Sequence, residues 1–344
     1  MVEVQRKTPY IIPLFIPHLG CPHQCVFCDQ RVISGSRRAG LPTAAEIGAE
    51  IDRWLAGKKD ASRSVELAFF GGSFTALPTE DQLRMLRAAG PHLKAGRIGS
   101  IRLSTRPDAL NEEICELLWE HGVRAVELGV QSLDDEVLRL SGRGHDRRHI
   151  EQAFELLHRF SFVVGGQLML GLPGDSRRKA VAGAEQLAAL GPRFVRIYPT
   201  LVVRNSPLAA MHAAGRYRPL TLGRAIVTAA MMKDVFDRNR IKVIRMGLQE
   251  AQSLTSGIIA GPHHPAFGEL VLSRQYHLRL RDLLAARHSR RRHVLTVSAK
   301  DQSVLRGVKN SNWTYLGERG YLDNVRVVFD GMMERNHMHL AECG

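Results

Sequence analysis

Over roughly the first 245 positions, short apolar runs alternate with longer stretches in which apolar side chains recur every three or four residues. The run Tyr10 to Ile16 is almost wholly apolar, which suits a strand buried on both faces. Thr43-Ala-Ala-Glu46 has capping-box form and opens a predicted helix with Ile47, Ile51, Trp54 and Leu55 on one side, closed at Gly57. A strand is predicted over Val65 to Phe70. Thr79-Glu-Asp-Gln82 reads as the cap of the next helix, which runs to about Leu93. Ser100 to Thr105 reads as a strand, and Asn111 caps a helix carrying Ile114, Leu117, Leu118 and His121 before Gly122. Further strands are predicted at Ala125 to Val130, Phe162 to Leu170 and Phe194 to Tyr198. The matching helices fall at Ile150 to Phe160, Ala180 to Leu190 and Leu222 to Asn239, before a last apolar run at Ile241 to Ile244.

Six strand-helix units in succession predict a parallel sheet wound in one direction. The fold expected over residues 1–245 is therefore α/β, a (β/α)6-type partial TIM barrel with its functional groups at the strands' carboxyl ends. An open doubly wound sheet is the alternative, because strand order is invisible in a sequence. Past Arg245 the alternation stops. Gly261-Pro262-His263-His264-Pro265 reads as a loop, Leu270 to Ala286 as a helix, and His293 to Ser298 and Val325 to Phe329 as strands, giving a C-terminal α+β extension over 246–344. No apolar run approaches the roughly 20 residues that span a bilayer, and the first residues lack a signal peptide's apolar region, so a cytoplasmic location and no membrane partner are expected.

Charge changes the picture. Lys and Arg number 48 against 34 Asp and Glu, a formal net charge of +14, which makes a polyanion a reasonable partner. The basic groups Arg147-Arg148, Arg177-Arg178-Lys179 and Arg290-Arg291-Arg292, the last between His288 and His293, read equally as solvated ends of elements or as parts of a nucleic-acid face.

The candidate chemistry starts at Gly20-Cys-Pro-His-Gln-Cys-Val-Phe-Cys-Asp-Gln30, which holds three of the five cysteines. Thiols at this spacing can converge on one metal centre, and three ligands leave a coordination position open for chemistry. A structural zinc ion completed by His18 or His23 is the competing reading. Cys115, beside Ile114 and Leu118, is expected in the core, Cys343 as a free thiol in the tail, and His263-His264 in a polar loop. Gly71-Gly72-Ser73 directly follows a predicted strand, so a ligand can approach its backbone closely and meet a hydroxyl.

With these motifs in hand, the chain resembles the radical S-adenosylmethionine (SAM) superfamily, and within it the radical SAM part of the Elp3 elongator-subunit family. Thr105-Arg-Pro-Asp108, Val126-Glu-Leu-Gly-Val-Gln-Ser132, Arg143-Gly-His145, Met169-Leu-Gly-Leu-Pro-Gly174 and Ile197-Tyr-Pro-Thr-Leu-Val-Val-Arg204 resemble Elp3-type segments in that family's order. The resemblance implies a [4Fe-4S] cluster on Cys21, Cys25 and Cys28, with SAM chelating the fourth iron. It implies an external electron donor and cleavage of SAM to methionine and a 5'-deoxyadenosyl radical that abstracts a substrate hydrogen. It places Phe27 by the adenine, and Gly71, Gly72 and Ser73 at the SAM amino group. Gln131 and Arg143 match SAM-binding positions of the coproporphyrinogen-type enzymes, and a guanidinium suits a carboxylate. Ser104 stands where relatives often carry Glu, and Gln167 where the coproporphyrinogen-type enzymes carry Asp; both keep hydrogen-bonding capacity.

Two departures narrow the function. Elp3 proteins continue into an acetyltransferase domain to which 246–344 does not align, and the coproporphyrinogen-type enzymes carry a further cysteine where this chain has Gln30. The expectation is a radical SAM enzyme, with basic charge and the Elp3 resemblance pointing to tRNA or another RNA as substrate. A small metabolite is the enzyme alternative, and a non-catalytic RNA-binding protein with a zinc site is the alternative of another class.

Overall fold

A computed structural model describes residues 8–16, 21, 23–29, 40–248, 252–287 and 291–343. His18, Gly20, Gln30, His288 and Arg290 lie outside the described residues. Among those described, the main sheet has seven strands: β1 (Tyr10–Ile16), β2 (Val65–Gly71), β3 (Ser100–Thr105), β4 (Val123–Gln131), β5 (Val163–Leu170), β6 (Phe194–Pro199) and β8 (Lys242–Met246), in that spatial order and parallel at each pairing. A two-residue strand, β7 (Val202–Val203), leaves the sheet and pairs with β9 (Ile258–Ala260). Spatial order follows chain order, so the curled sheet is a partial barrel with β1 and β8 as its edges, and the open doubly wound alternative falls. Pro13 sits in β1, where an edge strand tolerates a missing N–H.

The strands look uniformly apolar in places because both faces are covered, yet the two faces differ. Ile12, Leu14, Ile16, Leu67, Phe69, Ile101, Leu103, Val126 and Ile197 join one continuous core with the surrounding helices. Alternate residues, among them Phe15, Phe70, Ser104, Glu127, Gln167 and Arg196, turn to the concave side and line a cavity there. The helices form largely where their caps require. Thr43 accepts from the Glu46 amide, and the Glu46 side chain returns to the Thr43 amide, starting the helix Ala44–Ala56. The Asn111 side chain accepts from the Ile114 amide at 2.8 Å. Thr79 is not a cap: Pro78 holds that position, Thr79 is the first helical residue, and the Gln82 side chain instead donates to the carbonyls of Thr75 and Leu77. Cys115 is buried in the core, as expected.

Beyond β9, the helix Phe267–Ala285 packs against the helix Leu222–Arg238, with Gln275 donating to Asp234. Its Phe267 and Val271 belong to the main core, while Tyr276, Leu280 and Leu284 belong to a second. That second core lies under a three-stranded sheet in the order β11 (Val325–Asp330), β10 (His293–Ser298), β12 (Met338–Glu342). This helix therefore serves both cores across the expected boundary at 245. No helix among the described residues is long and apolar enough to cross a membrane.

Candidate active site

Cys25 and Cys28 bracket a tight turn in which the Cys28 amide donates to the Cys25 carbonyl at 3.0 Å. The turn is held from two sides: the Val26 amide donates to Ser141, and the Leu208 amide donates to the Val26 carbonyl. Ser141 introduces the loop Gly142-Arg143-Gly144, where both glycines have positive φ. Gly144 sits at φ +73°, which favours glycine, and a Cβ there would lie 2.1 Å from the His23 ring, which would have to move. His23, offered above as a zinc ligand, therefore packs against the Arg143 loop.

Arg143 ties the loops together. One guanidinium nitrogen, Nη1, donates to Cys25 Sγ at 3.1 Å, and Nη2 donates to the Gly129 carbonyl at 2.7 Å. Its Nε is buried without an acceptor. Arg106 fixes the Arg143 backbone, donating through Nη2 to its carbonyl while its guanidinium forks onto Asp108 at 2.9 Å through each nitrogen. His145, its side chain fully buried, lies 3.7 Å from the Asp108 carboxylate. Burial and the Arg143 cation hold its pKa well below the ordinary 6.5, so the ring is neutral.

The third side comes from the ends of β2 to β5. Gly71 takes φ +105°, open to glycine alone, and Gly72 donates from its amide to the last carbonyl of β1. Ser73 Oγ then lies 3.3 Å from Cys21 Sγ. Gln131 adopts φ +66° where β4 slips register against β5, a strained conformation for a side-chain-bearing residue. The Gln167 amide donates to its Oε1 at 3.1 Å, leaving the Gln131 NH2 as a donor. Gly129 leaves room beside both: a Cβ there would come within 3.1 Å of Gln131 and 3.3 Å of Arg143. Phe27 packs with Val202, Leu208 and Tyr217 and lines the same space.

A single cavity of about 370 Å3 is lined by Cys21, Cys25, Cys28, Phe27, Gly71, Gly72, Ser73, Ser104, Gln131, Arg143 and Gln167. Every residue singled out by the sequence as a cluster or cofactor candidate is thus at one place. Burial, then the two neighbouring thiols, push Cys28 up to about 12. Among the described residues no three His, Cys, Asp or Glu side chains converge as ligands of one ion. Three thiols lining one cavity are nonetheless the donor type an iron-sulfur cluster takes, a group larger than a single ion, and Arg143 and Gln131 beside them are donors suited to an amino-acid-like ligand.

Sequence reasoning missed the charges of the barrel interior. Arg102 on β3 pairs with Glu66 on β2 at 2.7 Å and Glu127 on β4 at 3.1 Å, and Glu127 also pairs with Arg196 on β6 at 2.8 Å. The available signal was a charged residue inside each of four largely apolar strands, which is costly unless it is paired.

Residues 15–186 match the family model of the Radical SAM superfamily, and 192–276 that of the Radical SAM C-terminal domain. The chain belongs to the radical SAM superfamily of enzymes. It is 31% identical over 226 residues to an uncharacterized protein of Methanocaldococcus jannaschii, covering 62% of this chain and 68% of that one. It is 28% identical over 259 residues to a tRNA uridine(34) acetyltransferase of Dehalococcoides mccartyi, covering 65% of this chain and 56% of the relative. The chain thus spans little more than half of that acetyltransferase. In fold it resembles Elp3 of Methanocaldococcus infernus, with a TM-score of 0.61, 23% identity, and coverage of 79% of this chain and 64% of the other.

Proposed function

We propose that this radical SAM enzyme holds a [4Fe-4S] cluster through Cys21, Cys25 and Cys28, binds SAM at the strand ends beside it, and acts on tRNA or another RNA in the cytoplasm. The observation that carries the reading is the convergence of eleven residues, drawn from positions 21 to 167, on one cavity. When bound, the cluster and SAM supply one-electron reductive cleavage to methionine and a 5'-deoxyadenosyl radical, the electron coming from an external donor.

The chain's own residues bind and orient. Arg143 lines the cavity and offers a guanidinium to a carboxylate, and its backbone is pinned by Arg106. Ser73 and the backbone at Gly71-Gly72 face the amino end of the same ligand by the family resemblance, and Phe27 its adenine. Gln131 and Gln167 present amide groups, and the neutral His145 keeps a second charge away from Arg143. Support for an RNA substrate comes from the net charge of +14 and from similarity to tRNA-modifying relatives.

The test is reductive cleavage. Anaerobically reconstituted, reduced protein is expected to convert SAM to 5'-deoxyadenosine, and Cys25→Ala to lose that turnover. Equal turnover by both would refute the cysteine assignment.

A further inference from the structure

Phe15, Phe70, Arg196, Tyr198 and Arg245 also line the cavity and have no part in the cofactor assignment. They come from the two margins of the open sheet. Phe15 on β1 and Phe70 on β2 are register partners with ring centroids 6.3 Å apart, and Arg196 on β6 and Arg245 on β8 are register partners in turn. The margins meet across the cavity: the Arg196 guanidinium stands 5.3 Å from the Phe70 ring centroid. An aromatic wall therefore lies next to a cationic one.

The cations are not equivalent. Arg102 is balanced by Glu66 and Glu127, Arg196 by Glu127, and Arg106 by Asp108. Arg143 is engaged by Cys25 and the Gly129 carbonyl. Arg245, half-buried, makes its hydrogen bond from Nε to the Gly247 carbonyl at 3.3 Å and has no acidic partner among the described residues. Glu127, the one carboxylate lining the cavity among the described residues, already serves two guanidiniums. Arg245 is thus a cation on the cavity wall whose charge no carboxylate among the described residues balances, and a guanidinium fork matches a phosphate.

We propose that Arg245 binds a phosphate of a nucleotide substrate whose base stacks on Phe15 and Phe70. Aromatic side chains hold bases through their π faces regardless of identity, so the pair fixes position and the arginine anchors the backbone. Arg196, locked by Glu127 and set against the Phe70 ring, holds the wall between the stacking surface and Arg245 in place. The inference rests on the RNA reading of the same site, since phosphate is chosen over carboxylate because that substrate is a polyanion.

The experiment is equilibrium binding to the reconstituted protein of two probes, unfractionated tRNA and uridine 5'-monophosphate set against uridine, for wild type, Arg245→Gln and Arg245→Lys. Thermal melts verify that each variant is folded. Expected are a roughly tenfold weaker tRNA affinity for Arg245→Gln, a smaller loss for Arg245→Lys, which keeps charge without the fork, and a salt slope lower by about one. Loss of tRNA binding alone identifies RNA as the phosphate source, and loss of monophosphate binding alone a free nucleotide. Wild-type affinity in both variants, or no binding of either probe by wild type, would overturn the proposal. If wild type makes no 5'-deoxyadenosine yet Arg245→Gln weakens binding, the radical reading fails and the phosphate site stands.

Discussion

Arg143 Nη1 lies 3.1 Å from Cys25 Sγ, across 118 positions of sequence. The contact joins the loop after β4 to the loop after β1, so one side chain touches both the cluster candidate and the cofactor cavity. Arg143→Lys keeps the charge but loses the fork that reaches Cys25 Sγ and the Gly129 carbonyl at once. SAM affinity measured by equilibrium dialysis is expected to fall about 10- to 100-fold, the size of one or two charge-assisted hydrogen bonds. Unchanged affinity would remove Arg143 from the cofactor site.

Gly144→Ala tests the packing of that loop. A methyl group there would meet the His23 ring, and the residue sits at φ +73°. Gly96 has φ +67° with nothing within 4 Å of a Cβ, so Gly96→Ala isolates the backbone cost, about 1 kcal/mol. Urea denaturation is expected to show Gly144→Ala losing at least about 1 kcal/mol more, by the overpacking term. Equal losses would mean the loop yields freely.

His145 makes acid stability readable. Its folded pKa is depressed below 6.5 by burial first and by Arg143 and Arg106, against the opposing pull of Asp108. An unfolded chain therefore takes up a proton at this residue before the folded one does, and the stabilisation present above pH 6.5 is lost as pH falls below it. His145→Phe is expected to flatten the decline of stability between about pH 6.5 and 4, followed by urea midpoints at fixed ionic strength. A slope identical to wild type would show that His145 titrates normally.

The parts legible in the sequence were those set by local chemistry. Thr43 and Glu46 lie three residues apart and cap their helix, and Gly71-Gly72-Ser73 ends a strand as its pattern required. Thr79 misled because the helix is entered one residue earlier, with Pro78 at the cap position and no side-chain cap bond. The barrel's charges were visible only as oddities. Glu127 is 25 residues from Arg102 and 69 from Arg196, and their pairing exists only once strand order and register are fixed. The same holds for Arg196 beside Arg245, which a bulge between β6 and β8 brings into register. β12 was missed because Met338-His-Leu-Ala-Glu342 is short and mixed, and it is strand through pairing with β10 rather than through its own pattern.

The central claim is a cluster held by three thiolates with its open position available to SAM. Anaerobically purified protein analysed for iron, sulfide and zinc, then reduced and examined by electron paramagnetic resonance with and without SAM, tests it most directly. Expected are iron and sulfide in equal amounts, about four of each per chain, and a reduced-cluster signal that changes when SAM is added. Zinc without iron or sulfide, or a cluster signal indifferent to SAM, would contradict it.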